Sequence, residues 1–243
     1  MNIFAIGDLH LPGGDTKPMD VFGSHWENHF ERIRSDWCGK VACEDIVLIP
    51  GDISWAMQLE HALEDLRRIG QLPGRKLILR GNHDFWWSSL TQLRCSLPEG
   101  MHAVQNDAFD AGEAVFCGTR GWMLPQSTSA DAASRAPSAS QDEKIYRREV
   151  MRLEMSLQAA KRMAGDRPIF AMMHYPPLLP EYARCGTDFT RLLTQYGVSR
   201  CVYGHLHGPS VQRGYNGLYG GVQYDLVSCD ALHFALKDVS LSI

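Results

Sequence analysis

The chain has 243 residues, a net charge of −4, and a charged fraction of 21% against 44% hydrophobic. That is enough for one large α/β domain or two small ones, a single unit spanning 1–243 being expected, and the composition is ordinary for a soluble globular protein. The acidic balance offers nucleic acid or an anionic membrane no bulk attraction, and no apolar run approaches the roughly 20 residues that cross a bilayer.

Met1-Asn2-Ile3-Phe4-Ala5-Ile6 has no basic leader character, and Ile3–Ile6 reads as a first strand. Over Val21–Trp37, Phe22, Trp26, Phe30, Ile33 and Trp37 recur at helical spacing and predict one helix. Ile46–Ile49 predicts a strand. Leu59, Ala62, Leu63, Leu66 and Ile69 then form a helical stripe that stops at Gly70. Further strands are expected at Lys76–Leu79 and Ala114–Cys117. The segment 127–141, rich in Ser and Ala and without periodicity, predicts a flexible insertion or a substrate lid. A long helix follows over Asp142–Ala164, with Tyr146, Val150, Leu153, Leu157 and Ala160 along one face. Ile169–Met173 and Arg200–Tyr203 predict two more strands. From Tyr215 the pattern turns β-like, through Tyr219–Val222, Gln223–Val227 and Leu232–Leu236. Short aliphatic runs alternating with amphipathic helices define an α/β protein whose strands are covered on both faces. The seven cysteines are scattered singly with no CxxC pair, which points to free thiols in a reducing compartment, so the expected location is cytoplasmic.

The chemistry lies just beyond the strands. Gly7-Asp8-Leu9-His10 follows the first, Pro50-Gly51-Asp52 the second, and Gly81-Asn82-His83-Asp84 the third. His174-Tyr175-Pro176-Pro177 and Gly204-His205-Leu206-His207 follow two later ones. Ligands of open α/β sheets gather outside the carboxyl ends of strands, so these loops are expected to converge. Carboxylate oxygen with imidazole nitrogen and no thiolate suits Zn, Mn, Fe or similar divalent ions. Alternation along an extended Asp8-Leu9-His10 or His205-Leu206-His207 would aim both donors of each pair at one centre. Seven potential ligands exceed what one ion takes while keeping an open position, so two ions sharing a carboxylate are expected. Any one block alone is weak, since turns are rich in Gly-Asp pairs; the specificity lies in the set.

The set Asp8-x-His10, Gly51-Asp52, Gly81-Asn82-His83-Asp84, His174 and Gly204-His205-x-His207 resembles the calcineurin-like metallophosphoesterase superfamily, from Asp8 to His207. The resemblance implies a four-layer α/β/β/α sandwich with two facing mixed sheets. It implies Asp8, His10 and His207 on one ion, Asn82, His174 and His205 on the other, Asp52 bridging, and His83 unligated as the catalytic histidine. It also implies hydrolysis of a phosphate mono- or diester by a metal-bridging hydroxide, with two divalent ions drawn from Mn, Fe, Zn, Ni or Co, Mn favoured. The Gly-Asp block departs from many relatives in running on to Ile53-Ser54-Trp55, and Phe85-Trp86-Trp87 adds aromatics after the third block. The expected partner is a small phosphate ester. A nuclease is disfavoured by the charge and by the lack of Lys/Arg clusters. The rival from another class is a catalytically silent metal-binding scaffold, though no ligand of the set is missing.

Other residues carry paired readings. Asp84 either orients a neighbour by a hydrogen bond or is a plain turn carboxylate. Arg80 and Arg120 are phosphate candidates or solvated surface arginines. Trp55, Trp86, Trp87 and Tyr175 stack on a substrate ring or pack in the core. His25, His29, His61, His102 and His233 read as structural or surface residues.

Overall fold

The computed structural model describes residues 1–14, 19–125 and 137–241. In chain order its strands are β1 (Ile3–Ala5), β2 (Ile46–Ile49), β3 (Arg75–Ile78), β4 (Met101–Ala103), β5 (Ala108–Asp110) and β6 (Val115–Thr119). They continue with β7 (Ile169–Met173), β8 (Arg200–Tyr203), β9 (Gly217–Tyr219), β10 (Val222–Leu226) and β11 (Lys237–Asp238). The helices are α1 (His29–Lys40), α2 (Leu59–Gly70), α3 (Leu90–Ser96), α4 (Pro137–Ala164) and α5 (Asp188–Gln195).

One sheet has the order β11-β1-β2-β3-β4, parallel except for β11 at its edge. The other has the order β5-β6-β7-β8-β10-β9, with four parallel central strands and antiparallel β5 and β9 outside them. Side-chain alternation along the strands assigns the layers. Val47 and Ile49 of β2 pack with Phe30, Ile33 and Trp37 of α1 and with Ala62, Leu66 and Ile69 of α2. Ile46 and Leu48 point the other way and meet Phe116, Phe170, Met172 and Val202 of the second sheet. Ile169, Ala171 and Met173 of β7 face Leu153, Leu157 and Ala160 of α4 and Phe189 and Leu192 of α5. Three cores separate four layers: helices, two mixed sheets face to face, and helices again.

Three of the expected secondary-structure segments differ in the structure. Val21–Trp37 is not one helix: Gly23 and Asn28 take φ of 129° and 51°, which breaks it into two short 3₁₀ turns before α1. The break turns Trp26 toward His10 and His207, with ring centroids 6.2 and 5.9 Å away. The segment 127–141 is helical from Pro137 onward, where a proline lacking an N–H fits the first turn; 126–136 lie outside the described residues. Leu232–Leu236 is no strand, because His233 and Phe234 are left-handed at φ 54° and 63° and their N–H groups close turns onto Asp230 and Cys229. That coil presents Asp230 to His207.

Candidate metal centre

All five chemistry-bearing loops leave the same ends of the two sheets, with Asp8, His10, Asp52, Asn82 and His83 from the first and His174, His205 and His207 from the second. Asp8, His10, Asp52 and His205 adopt left-handed φ of 58°, 46°, 51° and 72°. Asp8-Leu9-His10 is therefore not the extended segment expected; its two donors converge through a tight turn that sends Leu9 into the core. Such backbones cost on the order of 1 kcal/mol each and persist only where neighbours fix them. Here Asp8 N–H donates to Gly51 O at 3.0 Å, His10 N–H to Asp52 O at 3.0 Å, and His205 N–H to the Asp8 carboxylate at 3.1 Å. Glycine is required at two adjoining points: a Cβ at Gly81 would collide with the Asp52 carboxylate, and one at Gly204 with that of Asp8.

Two clusters of donors result. In one, His10 Nε2 and His207 Nε2 face each other at 3.3 Å, with Asp8 Oδ1 3.5 Å from His207 Nε2. In the other, Asn82 Oδ1 lies 2.6 Å from His174 Nε2 and 2.9 Å from His205 Nδ1, and those two nitrogens are 3.3 Å apart. Asp52 Oδ2 sits between the clusters, 3.9 Å from His10 Nε2 and 3.5 Å from His174 Nε2. Asp8 also comes within 3.8 Å of His174, but only at Nδ1, which is already turned to Pro50 O at 3.0 Å. Of the two carboxylates, Asp52 is thus the one that approaches an inward-facing Nε2 in both clusters.

The electrostatics suit cations. Burial lowers His10 to about 3 and His205 to about 4, and it lowers His174 as well, so these imidazoles present lone pairs at neutral pH. Burial, then the Asp8 charge, push Asp52 up to about 8. Burial pulls His207 down, but Asp8 and the hydrogen bond to Asp230 outweigh it and raise His207 to about 10. Burial also acts to raise Asp8, yet the charges of His207, His174 and His10 hold it below the usual carboxylate range. Two acids and a protonated imidazole crowded together are stabilised when a cation replaces the shared protons. The nitrogen spacings also match the roughly 3.3 Å edge of a tetrahedron with bonds of about 2.0 Å. The residues present therefore fit divalent metal ions.

Two supports emerge around the donors. Asp84, fully buried, accepts five hydrogen bonds: from the N–H groups of Asp52, Ile53, Ser54 and Gly81 and from Trp86 Nε1, at 2.7–3.3 Å. It ties the loops after β2 and β3 together, which decides against a plain turn carboxylate. Removing this acceptor strands four buried backbone donors, while Trp86 Nε1 keeps Ser54 O at 3.3 Å, so Asp84→Ala is expected to lower the unfolding free energy by about 3–5 kcal/mol. Urea unfolding measures this, and a loss under about 1 kcal/mol would show that water replaces the carboxylate. The other support, Asp230, eluded the sequence reading. Its Oδ1 lies 2.8 Å from His207 Nδ1 and its Oδ2 accepts Gly208 N–H at 2.9 Å, fixing the imidazole with Nε2 toward His10. A lone Asp in Ser228-Cys229-Asp230 carries no local signal; its position after a strand end is the only hint. Loss of such a partner typically weakens metal affinity about 10–100-fold. Asp230→Ala is expected to do so for Mn by calorimetric titration, and unchanged affinity would remove Asp230 from the centre.

His83 lies at the mouth, half-buried, its ring 4.5 Å from Trp55 and 5.8 Å from His10, in neither donor cluster. Burial, then the charge of His174, lower its pKa. Trp55 stacks on His10 at 4.8 Å and Tyr175 lies tilted against His205 at 4.1 Å, while Trp86 and Trp87 are core residues. Of the five remaining histidines, His29 braces the first loop, its Nε2 2.9 Å from Leu9 O. Cys117, Cys201 and Cys229 are buried, Cys38, Cys43, Cys95 and Cys185 exposed, and all are free thiols. A hollow of about 900 Å³ beside Tyr182, Arg191 and Tyr219 includes none of the donors, so convergent chemistry rather than size marks the centre.

No helix of the described residues is long and apolar enough to cross a membrane. No curated protein sequence matches the chain. Among solved structures, TT1561 of Thermus thermophilus aligns over 98% of this chain and 97% of that one, at 12% identity and a TM-score of 0.56. The phosphopantetheinyl hydrolase of Mycobacterium tuberculosis aligns over 93% and 88%, at 16% identity and a TM-score of 0.51. At those identities the likeness is one of fold. The family model described as calcineurin-like phosphoesterase matches residues 1–209, a span that holds every donor of both clusters. The chain belongs to the calcineurin-like phosphoesterase family.

Proposed function

We propose that this protein is a dinuclear metal-dependent phosphohydrolase acting on a small phosphate mono- or diester. The observation that carries the reading is the pair of nitrogen clusters, each closing to 3.3 Å, with Asp52 Oδ2 between them. Asp8, His10 and His207 would hold one divalent ion, Asn82, His174 and His205 the other, and Asp52 would touch both. Such ions, manganese being favoured, supply Lewis acidity that neutralises phosphoryl charge and acidifies a water.

The protein's own residues do the rest. Asp84 and the Asp8 carboxylate hold the loops in register, so the donors need no rearrangement when substrate arrives. His83, outside both clusters, is placed to give its proton to the leaving oxygen. Its lowered pKa makes the imidazolium a stronger acid once substrate charge draws a proton onto the ring. Trp26 and Trp55 wall the His10 side of the mouth and exclude water from it. The exposed free thiols favour a cytoplasmic setting.

The manganese-loaded protein should hydrolyse p-nitrophenyl phosphate or bis-p-nitrophenyl phosphate and lose the activity to EDTA. No hydrolysis with any of Mn, Ni, Co, Fe or Zn would leave the silent scaffold as the better reading.

A further inference from the structure

Beside the Asn82–His174 cluster, the ends of β3 and β6 bring arginines to a cleft that the metal centre does not use. Arg80 stands two residues before Asn82, within about 7 Å of chain. The carbonyl of Arg120 accepts the N–H groups of His174 and Tyr175 at 3.1 and 2.9 Å, so this loop is built into the support of a cage residue. Arg152 reaches in from α4. The cleft, of about 90 Å³, is lined by these three arginines with Gln105, Asn106 and Glu149 among others.

Charge in the cleft is unbalanced. Among the described residues Glu149 is its only lining carboxylate, 1% exposed, with Oε1 2.6 Å from Arg152 Nη1 and 3.7 Å from Arg120 Nη2. Its Oε2 is already taken by Thr119 Oγ1 at 2.6 Å and Gly121 N–H at 3.2 Å. Three arginines less one glutamate leave a lining charge of +2 in a chain whose net charge is −4. Arg80 Nε and Arg120 Nε are buried and have no acceptor among the described residues. A structural role explains the Arg152–Glu149 pair, which binds one turn of α4 to the next, and the packing of Arg120 over the Trp122 ring at 4.8 Å, but not the buried Nε atoms of Arg80 and Arg120 that lack an acceptor among the described residues. Three guanidinium groups sharing one carboxylate keep N–H donors that a tetrahedral oxyanion would satisfy, through paired N–H···O bonds.

We infer that Arg80, Arg120 and Arg152 form an oxyanion subsite that holds a second phosphate of the substrate. The substrate class is then a small phosphate ester carrying two phosphates, one presented to the metal donors and the other to the arginines. This rests on the phosphoesterase reading for its first phosphate only.

Two measurements test it. The manganese-loaded enzyme should prefer fructose 1,6-bisphosphate over fructose 6-phosphate by about ten-fold or more in kcat/KM, the scale of one charged hydrogen-bonded contact. Arg152→Gln, at a half-exposed position that tolerates the change, and Arg120→Gln should each shrink that ratio toward one. Independently of turnover, crystals soaked in sodium tungstate should show an anomalous peak in contact with the three guanidinium groups. A peak without any bisphosphate preference would mean that the subsite takes free phosphate and would overturn the substrate assignment. Neither peak nor preference would overturn the subsite itself. Absence of all hydrolysis with a peak present would count against the phosphoesterase reading and leave the oxyanion subsite standing.

Discussion

Asp52→Asn is expected to fold normally, bind at most one manganese ion per chain and lose about 10³-fold or more in kcat. Asn tolerates the left-handed backbone at this position and can keep an oxygen in the place of Oδ1, which accepts His83 N–H at 2.8 Å. What it removes is the negative charge at Oδ2, the atom that faces His10 Nε2 and His174 Nε2. A cation's share in stabilising transition-state charge is several kcal/mol, and about 4 kcal/mol corresponds to 10³ in rate. Metal analysis of the purified protein together with steady-state kinetics checks both halves. Two ions per chain in the Asn variant would show that Asp52 does not bridge.

His83→Ala should do the opposite: keep both ions and lose turnover. The backbone N–H that holds Asp52 Oδ1 and the carbonyl that accepts Phe85 N–H at 2.9 Å survive the substitution. General acid assistance contributes about 10²–10⁴-fold, so kcat toward an alkyl phosphate should fall by that amount. The loss with p-nitrophenyl phosphate should be distinctly smaller, because nitrophenolate leaves without a proton. Equal losses on the two substrates would mean that His83 acts on binding rather than on the leaving group, and loss of metal would make it a ligand.

The donors were legible because each stands just past an apolar run, so that Ile46–Ile49 and then Asp52, or Ile169–Met173 and then His174, can be read off the chain together. The layering was not legible in that way. β2 is buried on both faces, so its residues show no alternation of polar and apolar to tell helix side from sheet side. The facing sheets came from family resemblance, and the split of Ile46 and Leu48 from Val47 and Ile49 needed three dimensions. Short elements such as α3, β4 and β5 lack the length for a period to emerge. Trp26 fitted a helical stripe by spacing, yet its place beside His10 and His207 depends on Gly23 and Asn28, whose left-handed backbones outrank the hydrophobic pattern. Asp230 was invisible because its meaning lies in a contact with His207, 23 residues earlier.

Each nitrogen cluster draws donors from both sheets, and the His10–His207 contact joins positions 197 residues apart. No fragment confined to one sheet can reproduce either cluster. During biosynthesis the cage is therefore among the last features to exist, closing only after the second sheet has been made and docked on the first. A cation captured there stabilises the finished sandwich and no earlier species, by an amount that grows with free metal concentration. Metal occupancy in a cell would then report how much of the chain has completed its tertiary assembly, and metal starvation would appear as a smaller and shorter-lived folded population, with the rate of folding unchanged.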